Sequence, residues 1–182
     1  MGRRALILPG WCGQQSRGRS GIKAQQVTAF ACSTDLWRII LRADFYHLTD
    51  VPLERVVPSI AERVLSQNER LVIVSGVEAQ LRSIDTLLWS FKPESFVPHG
   101  RGGDQPILLT IPERAGESKA ENIALVDGTW RDLALGFNRA FYFFDGNSIA
   151  EARAAWRALA DRDAVERHYW KQDERGKWVE GP

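Results

Sequence analysis

Apolar and polar positions follow one another along this chain in two rhythms, one of period two and one of period near 3.6. Residues 42–48, RADFYHL, have strand composition, and Thr49 and Asp50 with Pro52 supply a helix start. Over 52–67, Leu53, Val56, Val57, Ile60, Val64 and Leu65 recur at helical spacing, with Glu54, Arg55, Glu62 and Arg63 turned outward. LVIVS (71–75) is a continuous apolar run, the pattern of a strand covered on both faces, and Gly76 ends it. A second amphipathic helix is expected over 77–91, through Leu81, Ile84, Leu87 and Leu88.

A loop rich in Pro, Gly and charge (92–105) leads to the strand PILLTI (106–111). After a polar connection comes NIALVD (122–127), then a short helical piece around 130–138 and the very apolar strand AFYFFD (140–145). A helix is expected over 148–162, capped by Ser148 or Asn147. The closing stretch 166–180 alternates about Arg175-Gly176, as a terminal hairpin does. Strands alternating with helices predict a single α/β domain with a largely parallel central sheet, covered by helices on both faces.

Glycines at 10, 13, 18 and 21, with Gln14, Gln15 and Ser16 between them, break any periodicity before residue 42. Residues 1–41 therefore read as a disordered extension or upstream read-through, and 42–182 as the folded body. Arg3-Arg4 resembles an export signal, but no apolar core with a small-residue cleavage site follows. Cys12 and Cys32 both lie in the extension, so the body has no disulfide framework and no thiolate metal site, and a reducing cytoplasm is the expected compartment. No apolar run reaches the roughly 18–20 residues of a membrane span.

Charge changes the picture further. The overall +1 divides into +6 over residues 1–42 and −5 over the rest. Non-specific DNA binding rests on many contacts from Lys and Arg to phosphates, so a net acidic body is a poor partner for DNA and leaves room only for a local basic patch. None of His47, His99 and His168 has a Cys or His at metal-ligand spacing. The elbow around a nucleophilic serine is missing. A nucleotide site of the usual kind needs a glycine-rich turn after the first strand. Here that turn reads HLTDVPLE, without glycine, while VSGVEAQ has one glycine and GRGGD precedes a strand. No metal or cofactor is expected.

Two stretches remain. LLWSFKPESFVPHGRGG (87–103) sets Trp89 and Phe96 on either side of a proline-containing turn. Arg153, Trp156 and Arg157, at i, i+3 and i+4, share one face of the last helix. Each stretch by itself has a plain structural explanation, core packing for Trp89, core covering for Phe96 and a solvated helix face for Arg153 and Arg157. Together they describe an aromatic pocket with a cationic rim, suited to an acidic peptide that ends in a hydrophobic residue.

DFYHL, LLWSFKPESFVPHG and ARAAWRALA (152–160), in this order, resemble the chi subunit of bacterial DNA polymerase III, over roughly 42–180. The resemblance implies a Rossmann-like α/β domain without a nucleotide site. It also implies a non-catalytic role in DNA replication. The partners implied are the psi subunit, the clamp loader through psi, and the acidic, phenylalanine-terminated tail of single-stranded DNA-binding protein. The tail-binding positions of that family fall on Trp89, Phe96, Arg153, Trp156 and Arg157. The helix aromatic, often Tyr, is Trp156 here, and Ile149 stands where a further basic residue is expected, a loss that Arg162 or Lys92 would offset. A Rossmann-like enzyme acting on a nucleotide or small molecule is the rival reading.

Overall fold

The computed structural model describes residues 40–49, 51–92 and 96–181. The expected extension lies outside them, Cys12 and Cys32 included, except for Ile40 and Leu41. Leu41 is buried and opens the first strand, so the sheet starts one residue before the expected boundary.

The strands are β1 (Leu41–His47), β2 (Leu71–Val74), β3 (His99–Gly100), β4 (Ile107–Thr110), β5 (Asn122–Leu125), β6 (Arg139–Phe144), β7 (Val165–Gln172) and β8 (Trp178–Glu180). They form one sheet in the order β3-β4-β2-β5-β6-β1-β7-β8. Every pairing is parallel except β7 with β8, which is the expected terminal hairpin. Gly176 takes φ 76° at its turn.

The helices are α1 (Leu53–Ser66), α2 (Glu78–Ser90) and α3 (Ile149–Ala158). Side chains on a strand point alternately to its two faces, so each strand feeds two cores. Leu71 and Ile73 of β2 and Phe141 and Phe143 of β6 meet Val57, Val64, Leu81 and Leu88 of α1 and α2 on one face. Val72, Val74, Tyr142 and Phe144 turn the other way, toward Ala152, Ala155 and Leu159 of α3. Each large apolar side chain so buried contributes about 1.5–3 kcal/mol by leaving water, which is why β2 is apolar at every position. α1 and α2 thus cover one face and α3 the other.

Some local expectations are revised. Pro52 stands at the N-cap of α1 without a side-chain capping bond, and Asp50 lies outside the described residues. Ser148 is the N-cap of α3, but its hydroxyl bonds the Asp145 carboxylate at 2.9 Å instead of the helix. α3 is shorter than expected because the chain must turn after Leu159 to begin β7 at Val165. The loop 92–105 contains β3, and the polar connection before β5 contains a 3-10 turn, Pro112–Glu117, that buries Ala115. A second 3-10 turn, Asp132–Gly136, is the helical piece expected near 130–138.

Candidate functional site

β1, β6 and β7 lie side by side, and their registers set Phe45 opposite both Tyr142 and Tyr169. On the face covered by α3, the rings of Phe45, Phe144 and Tyr169 form the floor of a pocket of about 280 Å³. α3 supplies its wall through Ile149, Ala152, Arg153 and Trp156, which recur at i, i+3, i+4 and i+7. Trp156 stands edge-on to Phe45 at 5.1 Å between centroids. The remaining lining side chain is His47, stacked on Phe144 at 4.9 Å with its Nδ1 2.9 Å from the Tyr169 hydroxyl. Burial pushes the His47 pKa down and the Arg153 charge adds to this, while Asp145 opposes it, so the ring is neutral at pH 7.

The cations follow from the same geometry. Arg153 and Arg157 are exposed and have no carboxylate partner among the described residues; Arg157 Nε donates only to the Arg153 carbonyl, at 3.3 Å. A third cation, Arg167 of β7, was not found from sequence. Its guanidinium lies 4.6 Å from the Trp156 ring centroid and donates to the Trp156 carbonyl. Its only sequence signal was its two-residue spacing from Tyr169, which puts both on one face of β7. His47, Phe45, Phe144 and Tyr169 were likewise missed, because their convergence depends on strand register.

Trp89 and Phe96 are not part of this pocket. α2 packs on the opposite face of the sheet from α3, and Trp89 sits near its end, 65% exposed. Its ring touches Phe96, itself 75% exposed, at 6.3 Å, and His99 at 5.0 Å. His99 is a buried hydrogen-bonding residue of that loop, its Nδ1 2.7 Å from the Val97 carbonyl. The single five-residue pocket expected from sequence is therefore two surfaces on opposite faces. The two supplementary cations do not line the α3 pocket. Lys92 is bonded to Glu62 of α1 at 2.7 Å, and Arg162 faces Asp132 at 3.5 Å.

A larger crevice, about 670 Å³, opens at the carboxyl ends of β1, β2, β5 and β6, where sheets of this class commonly hold a nucleotide. Its polar lining includes Asp127 and Asp145. Burial pushes Asp127 up, but hydrogen bonds from Arg131 and from the Gly76 N–H outweigh it and keep the carboxylate ionised. Asp127 is matched by the Arg131 guanidinium, whereas Asp145, its pKa held down first by the Ser148 hydroxyl, adds a negative charge that opposes a phosphate there. Among the described residues no cluster of three His, Cys, Asp or Glu could hold a metal ion, and no helix is long and apolar enough to cross a membrane.

Fold and site together define a Rossmann-like α/β protein whose ligand-sized aromatic pocket lies under a helix and shares Phe144 with the carboxyl-end crevice. Residues 41–166 match the family described as DNA polymerase III chi subunit, HolC, and the chain belongs to that family. It is 27% identical over 96 residues to DNA polymerase III subunit chi of Escherichia coli strain K12, an alignment covering 50% of this chain and 65% of that protein. It is 31% identical over 84 residues to the subunit of the same name from Pseudomonas aeruginosa strain PAO1, covering 43% of this chain and 59% of that protein.

Proposed function

We propose that this chain is a non-catalytic accessory subunit of the replicative DNA polymerase III, acting in the cytoplasm. It captures the acidic, phenylalanine-terminated tail of single-stranded DNA-binding protein in the α3 pocket. It pairs with the psi subunit, and through psi with the clamp loader. The observation that carries the tail reading is a pair of guanidiniums, Arg153 and Arg157, without carboxylate partners among the described residues, beside an aromatic-walled pocket. A pocket of about 280 Å³ has ample room for an aromatic side chain, and the arginines meet the carboxylates around it.

The Trp89–Phe96 surface then serves the second partner. Two large, mutually touching aromatics left exposed on a folded domain favour a protein interface, because desolvated aromatics dominate binding energy at such contacts. It lies on the other face of the sheet, so one chain holds both partners at once.

Isothermal titration with an acidic peptide ending in Phe, and separately with purified psi, tests this. Trp156→Ala should weaken only the peptide, and Trp89→Ala only psi. Peptide binding that survives Trp156→Ala and Arg153→Ala in a folded chain would remove the tail from this pocket. Saturable binding and turnover of a nucleotide, lost on Asp127→Asn, would favour the enzyme reading instead.

A further inference from the structure

A further pocket, about 290 Å³, lies on the face covered by α1, near the hairpin edge of the sheet. One wall is α1, through Val56, Ile60 and the exposed Arg63. Trp170 of β7 and Trp178 of β8 form another, and Tyr46 of β1 the floor. Arg42 and Arg139, neighbours across β1 and β6, complete the lining. The Tyr46 ring stacks on Trp170 at 6.1 Å and meets Trp178 edge-on at 5.0 Å. Its hydroxyl is pushed up to about 12, first by burial, so it stays a neutral donor.

The charges here do not cancel. Asp44, fully buried, takes Arg139 Nε at 2.6 Å, Arg42 Nε at 3.1 Å and Trp170 Nε1 at 2.8 Å. One carboxylate thus faces two guanidiniums, each with five N–H donors, and most of those donors have no acceptor among the described residues. Arg63 adds a third guanidinium, with no carboxylate partner among the described residues. Three cations line the pocket, while the carboxylates beside them are the buried Asp44 and Glu166, the neighbour of Arg42 on β7, which lies 3.0 Å from His168; walled by two indoles and a phenol, the lining itself is positive.

We propose that this pocket binds a nucleotide, its base against Trp170 and Trp178 and its phosphate among Arg42, Arg63 and Arg139. Base stacking on aromatic side chains beside cationic groups is the general chemistry of nucleotide-unit recognition without a glycine-rich loop. Three guanidiniums on one small pocket suit a phosphate, which offers more acceptor oxygens than a carboxylate. With about 290 Å³ between α1, the sheet and β8, the pocket has room for one nucleotide unit, free or at the end of a strand. The proposal is independent of the tail reading, whose pocket is on the other face.

The full chain is titrated, by tryptophan fluorescence and calorimetry, with thymidine 5′-monophosphate, thymidine, and octathymidylate with and without a 5′-phosphate. The monophosphate or the phosphorylated strand should bind, and thymidine should bind at least about tenfold more weakly. Whichever of the two phosphates binds tighter identifies the source as free nucleotide or strand end. Arg63→Gln, which leaves the Asp44 cluster intact, should weaken binding about three- to tenfold, and acidic-peptide affinity, measured alongside, should stay unchanged as the check on folding. Trp178→Phe should weaken nucleotide binding as well. The proposal is overturned by no saturable binding of either phosphate, by equal affinity in Arg63→Gln, or by displacement of the nucleotide by the acidic peptide.

Discussion

The Trp156 indole is fixed from two sides, edge-on by Phe45 at 5.1 Å and over its face by the Arg167 guanidinium at 4.6 Å. Its position is therefore set before any ligand arrives, and its truncation removes both the wall and the seat of Arg167. Trp156→Ala should weaken binding of the acidic peptide by at least about tenfold, read by isothermal titration. Arg157 is exposed and lies outside the pocket lining, so Arg157→Ala should mainly flatten the salt dependence of that affinity. His47 gives the pocket a pH response. A carboxylate-bearing ligand favours the charged ring, so affinity should rise as pH falls below the ordinary value of 6.5, and His47→Gln should abolish the rise. In the free protein the lowered pKa means fewer bound protons than in the unfolded chain. His47 therefore favours the folded state above about pH 6.5, and this contribution is lost as pH falls from that value through the lower pKa of the folded state, with the same substitution as control.

Between elements, single polar and glycine positions hold the strands in place. Asp44 ties β1 to β6 and β7 through Arg139 and Trp170, and its removal leaves two guanidiniums facing each other in a partly buried site. Asp44→Ala should lower stability by roughly 2–4 kcal/mol in chemical denaturation, since breaking a buried pair strands its partners. Two glycines make a sharper comparison. Gly176, at φ 76° in the β7–β8 turn, has open space where a Cβ would stand, so Gly176→Ala should cost only the backbone strain, about 1 kcal/mol. Gly128, at φ 72°, would set its Cβ 2.7 Å from the Ser148 hydroxyl, beside the bond from the Tyr142 hydroxyl to its own carbonyl. Gly128→Ala should be distinctly more destabilising, and Ser148→Gly in the same chain should restore part of the loss. Equal costs at the two glycines would mean that the Ser148 contact relaxes freely.

For the whole molecule the sheet acts as a partition. α3 and its pocket lie on one face, and α2 with Trp89 and Phe96 on the other. Sites without shared partners act additively, within about 0.5 kcal/mol. The double variant Trp89→Ala/Arg153→Ala should therefore lose peptide affinity only as Arg153→Ala does, and psi affinity only as Trp89→Ala does. A coupling well above that limit would mean that the two faces communicate through the sheet. Occupancy of one face should also leave the affinity of the other unchanged, which a three-component titration measures.

The alternation of residues and the helical spacing were enough to define the elements, because burial on a strand or helix follows from its own period. LVIV in β2, the stripe Val56, Val57 and Val64 in α1, and the turn at Gly176 were legible for that reason. The shared face of Arg153, Trp156 and Arg157 was legible too, since three and four residues span one helical turn. The chain order of these elements does not say on which face of the sheet each helix lies. That depends on the crossover of each helix, and it is what moved Trp89 and Phe96 away from α3. Strand register decided the rest. Only the pairing of β7 with β1 brings Arg167 and Tyr169 beside Phe45 and His47, and only β1 between β6 and β7 collects Arg42, Arg139 and Trp170 around Asp44. Local periodicity is a property of neighbours in sequence, whereas a site built across strands is a property of long-range pairing.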